Sequence, residues 1–317
     1  VKVLCLIDRL CTPGGAERQL VTLARALTAR GHQCSVAALF PGSDLAGDLP
    51  AWGIEFHELK VPFFRDFIGA GMRVARLIRR GNFDVVQAHL LSSCIASGLS
   101  RVLVAGPPRV VVLHNLDYEV DPPRNRRQRA LRSLHRLCLR RLTDGVVAVS
   151  DSVARHYEKE MGLKNIPAIR NSIELSSPPD VFRADREKIR QEMGVGDGTD
   201  LLVYSGRMVN QKAHFVLLRA MEILRQRGMC PKLMLIGSGP LKADIRAAAE
   251  TAGLGNQVIM AGNIPYEKAL RHIAAADLYV SSANQEGFPL APAEAMALGV
   301  PVVATAVGGV PELVEDG

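Results

Sequence analysis

VKVLCLIDRLCTPGGAERQLVTLARALTARGHQCSVAALF, residues 1–40, decides the fold. Two short apolar runs, 1–7 and 34–40, bracket an amphipathic stretch, 19–30, in which Leu20, Leu23, Ala24 and Leu27 recur at spacings of three and four. That spacing predicts a helix with one apolar stripe, and Gly31 directly after it is a C-cap signal. Strand, helix, strand within forty residues is a βαβ unit, whose strands must run parallel because the crossover returns the chain to the same edge.

The pattern continues outward from this unit. Further strand runs are expected at 83–89 (FDVVQAH), 109–114 (RVVVLH), 145–150 (GVVAVS) and 166–170 (IPAIR). From Asn171 to Asp200 both periods break, through SSPPD and GVGDGTD, and this stretch reads as a connection. The alternation then restarts with LLVYSG (201–206), KLMLIG (232–237), QVIMAG (257–262), DLYVSS (277–282) and PVVAT (301–305). Near-continuous apolar strands separated by amphipathic helices predict an α/β chain of two Rossmann-like domains with parallel sheets. Ligands are expected beyond the carboxyl ends of such strands.

Composition narrows the function classes. A chain of 317 residues that is 48% hydrophobic and 22% charged excludes a coiled coil, collagen or a disordered tail. No apolar run reaches the roughly 20 residues of a membrane-spanning helix, and the opening lacks a secretion signal, so a cytoplasmic protein is expected. The six cysteines (Cys5, Cys11, Cys34, Cys94, Cys138, Cys230) show neither paired nor zinc-type spacing and read as buried apolar fillers, with no disulfide and no metal. Charge is uneven. Residues 1–178 hold 25 lysines and arginines against 16 acids, the remainder 14 against 16. Residues 124–141, RNRRQRALRSLHRLCLRR, contain eight arginines and no acid, with Leu131, Leu134, Cys138 and Leu142 on one helical face. Such a helix either solvates the surface or attracts an anionic membrane at the inner face or a lipid-diphosphate acceptor. No nucleic-acid motif accompanies it, and aromatic residues are 5% of the chain, so nucleic acid is not expected as a partner.

The stretch richest in chemistry is NQEGFPLAPAEAMALGVPVVAT, 284–305. It leaves a strand, turns at Gly287 and enters a helix expected to start at Pro292, placing Glu286 in the loop and Glu294 in the first turn. A helix N-terminus favours an anion, yet two carboxylates would repel a phosphate, so these acids suit neutral sugar hydroxyls while cations and amides hold the phosphate. Pro289 and Pro292 lack N–H groups, which leaves Phe288, Leu290 and Ala291 as backbone donors.

EGFPLAPAEAMALGVPVV resembles the signature of retaining glycosyltransferases of family 4, which have the GT-B fold. Further matches fall in order: PGGAER (13–18), SGRMVNQKA (205–213), GSGPL, GNIP and VGGVPELV. The resemblance covers almost the whole chain. It implies residues 1–175 as an acceptor-side domain and 176–317 as a donor domain, with the nucleotide sugar between them. It implies Arg207 and Lys212 as diphosphate ligands and Gly14 and Gly15 as a turn open to phosphate or sugar. Gly237, Gly239, Asn263 and Ile264 would line base and ribose, and His114 would contact the transferred sugar. Ala213 departs from the family's usual glycine after the lysine. The implied reaction is metal-independent, retaining transfer from a nucleotide-diphosphate sugar, UDP being the expected base, to a glycan or lipid-linked acceptor, with no other cofactor. Alternatives are a GT-B epimerase or hydrolase of the nucleotide sugar, or a non-catalytic nucleotide-sugar-binding module. Relatives continue beyond the point corresponding to Gly317, so the second domain is expected to be truncated.

Overall fold

The computed structural model describes residues 1–11, 14–64, 66–117 and 125–315. Pro13 of the PGGAER turn and Arg124 of the basic stretch lie outside them. The chain forms two compact units, Val1–Ser172 and Ile173–Gly317.

The first unit runs β1 (Lys2–Ile7), α1 (Gly15–Ala29), β2 (Gln33–Ala38), β3 (Glu55–Glu58), α2 (Phe67–Gly81), β4 (Val85–His89), α3 (Leu91–Leu103), β5 (Arg109–Leu113), α4 (Arg126–Arg141), β6 (Gly145–Ala148) and α5 (Asp151–Met161). Its sheet is parallel, in the order β3-β2-β1-β4-β5-β6. The central strand β1 is buried from Val3 to Ile7 because helices cover both faces of the sheet, which is why its sequence is continuously apolar. Helix α1 buries Leu20 and Ala24 of the predicted stripe. Helix α4 starts from a capping box in which the Asn125 side chain accepts from Gln128 N (2.9 Å) and the Gln128 side chain accepts from Asn125 N (3.3 Å). It buries Cys138 as expected, and also His135 and Leu139.

The second unit runs α6 (Pro179–Arg183), α7 (Arg186–Glu192), β7 (Leu201–Ser205), α8 (His214–Gln226), β8 (Lys232–Ile236), α9 (Lys242–Thr251), β9 (Val258–Gly262), α10 (Tyr266–Ala274), β10 (Leu278–Ser281), α11 (Leu290–Ala297) and β11 (Val302–Ala304). All its strands are parallel, ordered β11-β10-β7-β8-β9. Numbered within their own unit and read from the opposite edge, these strands run 3-2-1-4-5, the order of the first five strands of the other sheet. Strand order therefore reverses between β1 and β4 in one unit and between β7 and β10 in the other, and open α/β sheets bind ligands at such points.

Several expectations are corrected. IPAIR forms only a bridge, Ala148 to Ala168, because Pro167 lacks an N–H to donate to a ladder. The edge strand β3, EFHE, was not expected, since it carries no apolar run. The connection from 171 to 200 holds two short helices, α6 and α7, which bury Phe182 and Ile189. Of the cysteines, Cys5, Cys34, Cys94 and Cys138 are buried, but Cys230 is exposed and Cys11 half-buried. Among the described residues, no helix is long and apolar enough to cross a membrane.

Candidate functional site

In the second unit the loop after β7 and the loop after β10 are joined. Asn284 N donates to the Gln211 carbonyl (2.9 Å), the Gln211 amide donates to the Gln285 carbonyl (3.0 Å), and the Lys212 ammonium pairs with the Glu286 carboxylate. Lys212 and Glu286 thus come from the two strands that flank the reversal of strand order. Their side chains are only 22% and 10% exposed, so the pair is poorly screened. The ground beneath is buried. The Tyr204 hydroxyl donates to the Lys212 carbonyl (3.2 Å) and the Tyr279 hydroxyl to the Ser205 carbonyl (3.1 Å). Burial pushes both phenols above their usual range, and the nearby Glu286 charge adds to it. Burial, with Lys212 adding its charge, pushes the His214 imidazole down to about 4.

Three glycines let backbones meet here. Gly308, at φ +53°, lies so close to the Glu286 carbonyl that a Cβ would overlap it, and Gly309 N donates to the same carbonyl (3.2 Å). Gly237, at φ +125°, would place a Cβ on the Gly206 carbonyl. A Cβ on Gly239 would overlap the Met208 backbone. Both predicted glycines therefore hold the β7 and β8 turns together. Arg207 is exposed on the β7 turn.

Helix α11 corrects the sequence reading. It starts at Leu290, so Pro292 is its third residue and Glu294 its fifth, beyond the first turn. Proline is tolerated at the third position because the leading N–H groups have no partner inside the helix anyway. With Pro289 at the N-cap, Leu290 and Ala291 carry the leading donors. Glu294 is buried and accepts from the Tyr266 hydroxyl (3.1 Å). Phe288 is half-buried, and Ala291 and Ile264 are half-buried against the apolar core, where Ile264 has a packing role. Asn263 is exposed at the end of β9, two strands from β7.

In the first unit, Gly14 is the N-cap of α1 and Gly15 its first residue. His114 follows β5 and is buried, with its Nε2 2.8 Å from Nδ1 of His89 at the end of β4. Sequence reasoning missed His89, although two successive strands ending in histidine were a usable signal. It also missed Asp8, just beyond β1. The Asp8 carboxylate accepts from Ser93 N (2.7 Å), Ser93 Oγ (2.8 Å) and Ser92 N (3.3 Å), and so caps α3 from across the sheet. Burial raises its pKa and these bonds pull it back. Asp8, His114, Asn115, Asp117, His135 and Tyr157 line part of a cavity of about 240 Å³. Among the described residues, no three His, Cys, Asp or Glu side chains are grouped to hold a metal ion.

Two parallel sheets in this order, each with polar groups at its reversal point, fit the GT-B fold. Residues 13–177 match the family model described as Glycosyltransferase Family 4, and residues 185–317 match that for glycosyl transferases group 1. The chain belongs to glycosyltransferase family 4. It is 30% identical over 236 residues to a putative teichuronic acid biosynthesis glycosyltransferase, TuaC, of Bacillus subtilis, covering 73% of this chain and 55% of that one. It is 25% identical over 321 residues to the N-acetyl-alpha-D-glucosaminyl L-malate synthase of Bacillus anthracis, covering 97% and 80%. Its fold matches that of Anabaena HepE in complex with UDP-glucose, with a TM-score of 0.82 at 22% identity, over 99% of this chain and 83% of that one.

Proposed function

We propose that the chain is a retaining, metal-independent transferase that moves a sugar from a nucleotide diphosphate to a glycan or lipid-linked acceptor. The Lys212–Glu286 pair at the reversal of strand order is the observation that carries this reading. A nucleotide diphosphate gains negative charge as its bond to the sugar breaks. Lys212, together with Arg207 and the Leu290 and Ala291 amides, stabilises that charge without a metal. The leaving phosphate then takes the acceptor's proton on the face it leaves, which gives retention. Glu286, held beside Lys212, meets the positive charge that develops at the anomeric carbon. Glu294 and Tyr266 receive the ribose hydroxyls, and Gly237, Gly239, Asn263 and Ile264 border the base. In the first unit, Gly14, Gly15 and His114 serve the sugar side.

Relatives named for teichuronic acid and malate products support an acceptor bearing hydroxyl and acidic groups. The UDP-glucose complex of HepE supports a uridine donor. Peripheral contact with an anionic membrane on the cytoplasmic side is part of the proposal. Arg126, Arg127, Arg129, Arg140 and Arg141 are exposed on α4, and exposed Ile68 shares a surface groove with Leu134 of that helix.

Steady-state kinetics with UDP, GDP and ADP sugars tests the reading. Glu286→Gln should lower kcat at least tenfold, about 1.4 kcal/mol. Glu294→Gln should act mainly on KM, because ribose is unchanged by transfer. Unchanged kcat in Glu286→Gln would remove this acid from the chemistry, and turnover without any added acceptor would favour an epimerase or hydrolase.

A further inference from the structure

The histidine pair of the first unit carries more than its burial. His89 is 1% exposed and its Nε2 has no hydrogen-bond partner among the described residues, while its Nδ1 lies 2.8 Å from His114 Nε2. Burial and the neighbouring ring hold His89 well below 6.5, and burial takes His114 down to about 4, so both rings are neutral at pH 7. A neutral imidazole has one N–H and one lone pair, so a single proton lies between the two rings and two arrangements exist. If His114 donates, the proton of His89 must sit on the buried, unpartnered Nε2. If His89 donates, that Nε2 keeps only a lone pair. Orphaned buried N–H groups are the rarer and costlier defect, which favours the second arrangement.

We propose that His89 is a positioning residue that fixes the tautomer of His114. His89 Nδ1–H donates to His114 Nε2, so His114 carries its proton on Nδ1 and offers that N–H to an oxygen acceptor of bound sugar. This rests on the reading of His114 as a sugar contact, but the tautomer can be measured without any sugar. Free neutral histidine prefers the Nε2–H form, so the sheet holds His114 in the less common one. Strand register builds the contact: His89 closes β4 opposite Val112 of β5, and His114 follows two residues later.

The test is long-range ¹H–¹⁵N correlation on the full chain labelled in its histidines, with His89→Asn and His114→Gln assigning the signals. Both His89 and His114 are expected as Nδ1–H tautomers. A His114 signal with its proton on Nε2 overturns the proposal. His89→Leu should move His114 toward the Nε2–H form and lower turnover about tenfold, ~1.4 kcal/mol. His89→Asn, whose amide N–H stands where Nδ1–H stood, should restore both relative to His89→Leu. Loss of turnover in His89→Leu with an unmoved His114 tautomer would also overturn it, and should His89→Leu not fold, the wild-type spectrum and His89→Asn decide. Unchanged kinetics in His114→Gln alongside the expected tautomers would sink the sugar contact while leaving the tautomer assignment standing.

Discussion

At the reversal point of the first sheet a carboxylate from β1 is spent on the N-terminus of α3, and the neighbouring strand ends carry neutral imidazoles. At the equivalent point of the second sheet a lysine from the β7 loop faces a glutamate from the β10 loop. The strand orders match, so topology alone does not choose the ligand. In the first unit the protein supplies its own anion to the helix that could have taken a phosphate. In the second it supplies a cation. The difference teaches that one α/β arrangement can present a neutral or a charged cluster at its reversal point, depending on which side chains leave β1 and β4, or β7 and β10.

The largest expected effect is on the charged side of this contrast. Lys212→Ala strands Glu286 without its lysine partner and, on the proposed function, removes a phosphate contact, so nucleotide-diphosphate affinity should fall by about 1.5–3 kcal/mol. Stability should fall as well, by about 2–3 kcal/mol, less than for a fully buried pair because the lysine is partly exposed. Calorimetric titration and urea unfolding would measure the two losses. Arg207→Ala should weaken the same binding by about 1.5–3 kcal/mol while leaving stability unchanged, because its side chain is exposed. Equal destabilisation by both variants would mean that Lys212 is not tied to Glu286 in solution.

The neutral side predicts a pH effect. His114 has a folded pKa of about 4 against about 6.5 unfolded, so the unfolded chain binds the extra proton between these values. The stability this group contributes is complete above 6.5 and is lost as pH falls toward 4. Between pH 7 and 5 the wild type should therefore lose about 1–2 kcal/mol more than His114→Gln. Asp8 and Asp117, whose pKa values burial raises, act in the opposite sense but are common to both proteins; His89, held down by burial and by the neighbouring His114 ring, is relieved of the second in His114→Gln, so the difference reports the histidine pair. Parallel pH profiles in urea unfolding would show that His114 is not buried neutral.

The smallest effect concerns strain, which both units store beside their sites. Ala213 follows Lys212 at φ 48°, ψ 41°, and Leu90 follows His89 at φ 69°, ψ 167°, both regions that suit glycine. Ala213→Gly should stabilise the chain by about 0.5–1 kcal/mol, since relief of left-handed strain exceeds the added chain entropy. Leu90→Gly should not, because Leu90 also packs against the core of its unit. A gain in melting temperature for the first variant alone would confirm the distinction.

Strands β1, β7 and β8 were legible because burial on both faces demands unbroken apolar runs; the turn after a strand drew attention to Glu286, whereas Lys212 and His114 were implied by the family resemblance. Long-range pairing was not legible. Asp8 and Ser93 are 85 residues apart, and only the adjacency of β1 and β4 joins them. The start of α11 was misplaced because Pro292 fits the first and the third position equally well, both lying among the unpaired N–H groups. The polar edge strand β3 carries too little apolar surface to announce itself.

The strand order also has a consequence for synthesis. In each sheet the central strand is the first in sequence, yet β1 must wait for β4 and β7 for β10 before both of its edges are paired. On the ribosome, that apolar strand therefore keeps an open edge until about 80 further residues have been translated, several seconds at ~5–20 residues per second. Such an edge is a template for pairing with other chains. The arrangement that sets two loops side by side thus leaves each nascent unit open to mispairing until its fourth strand arrives.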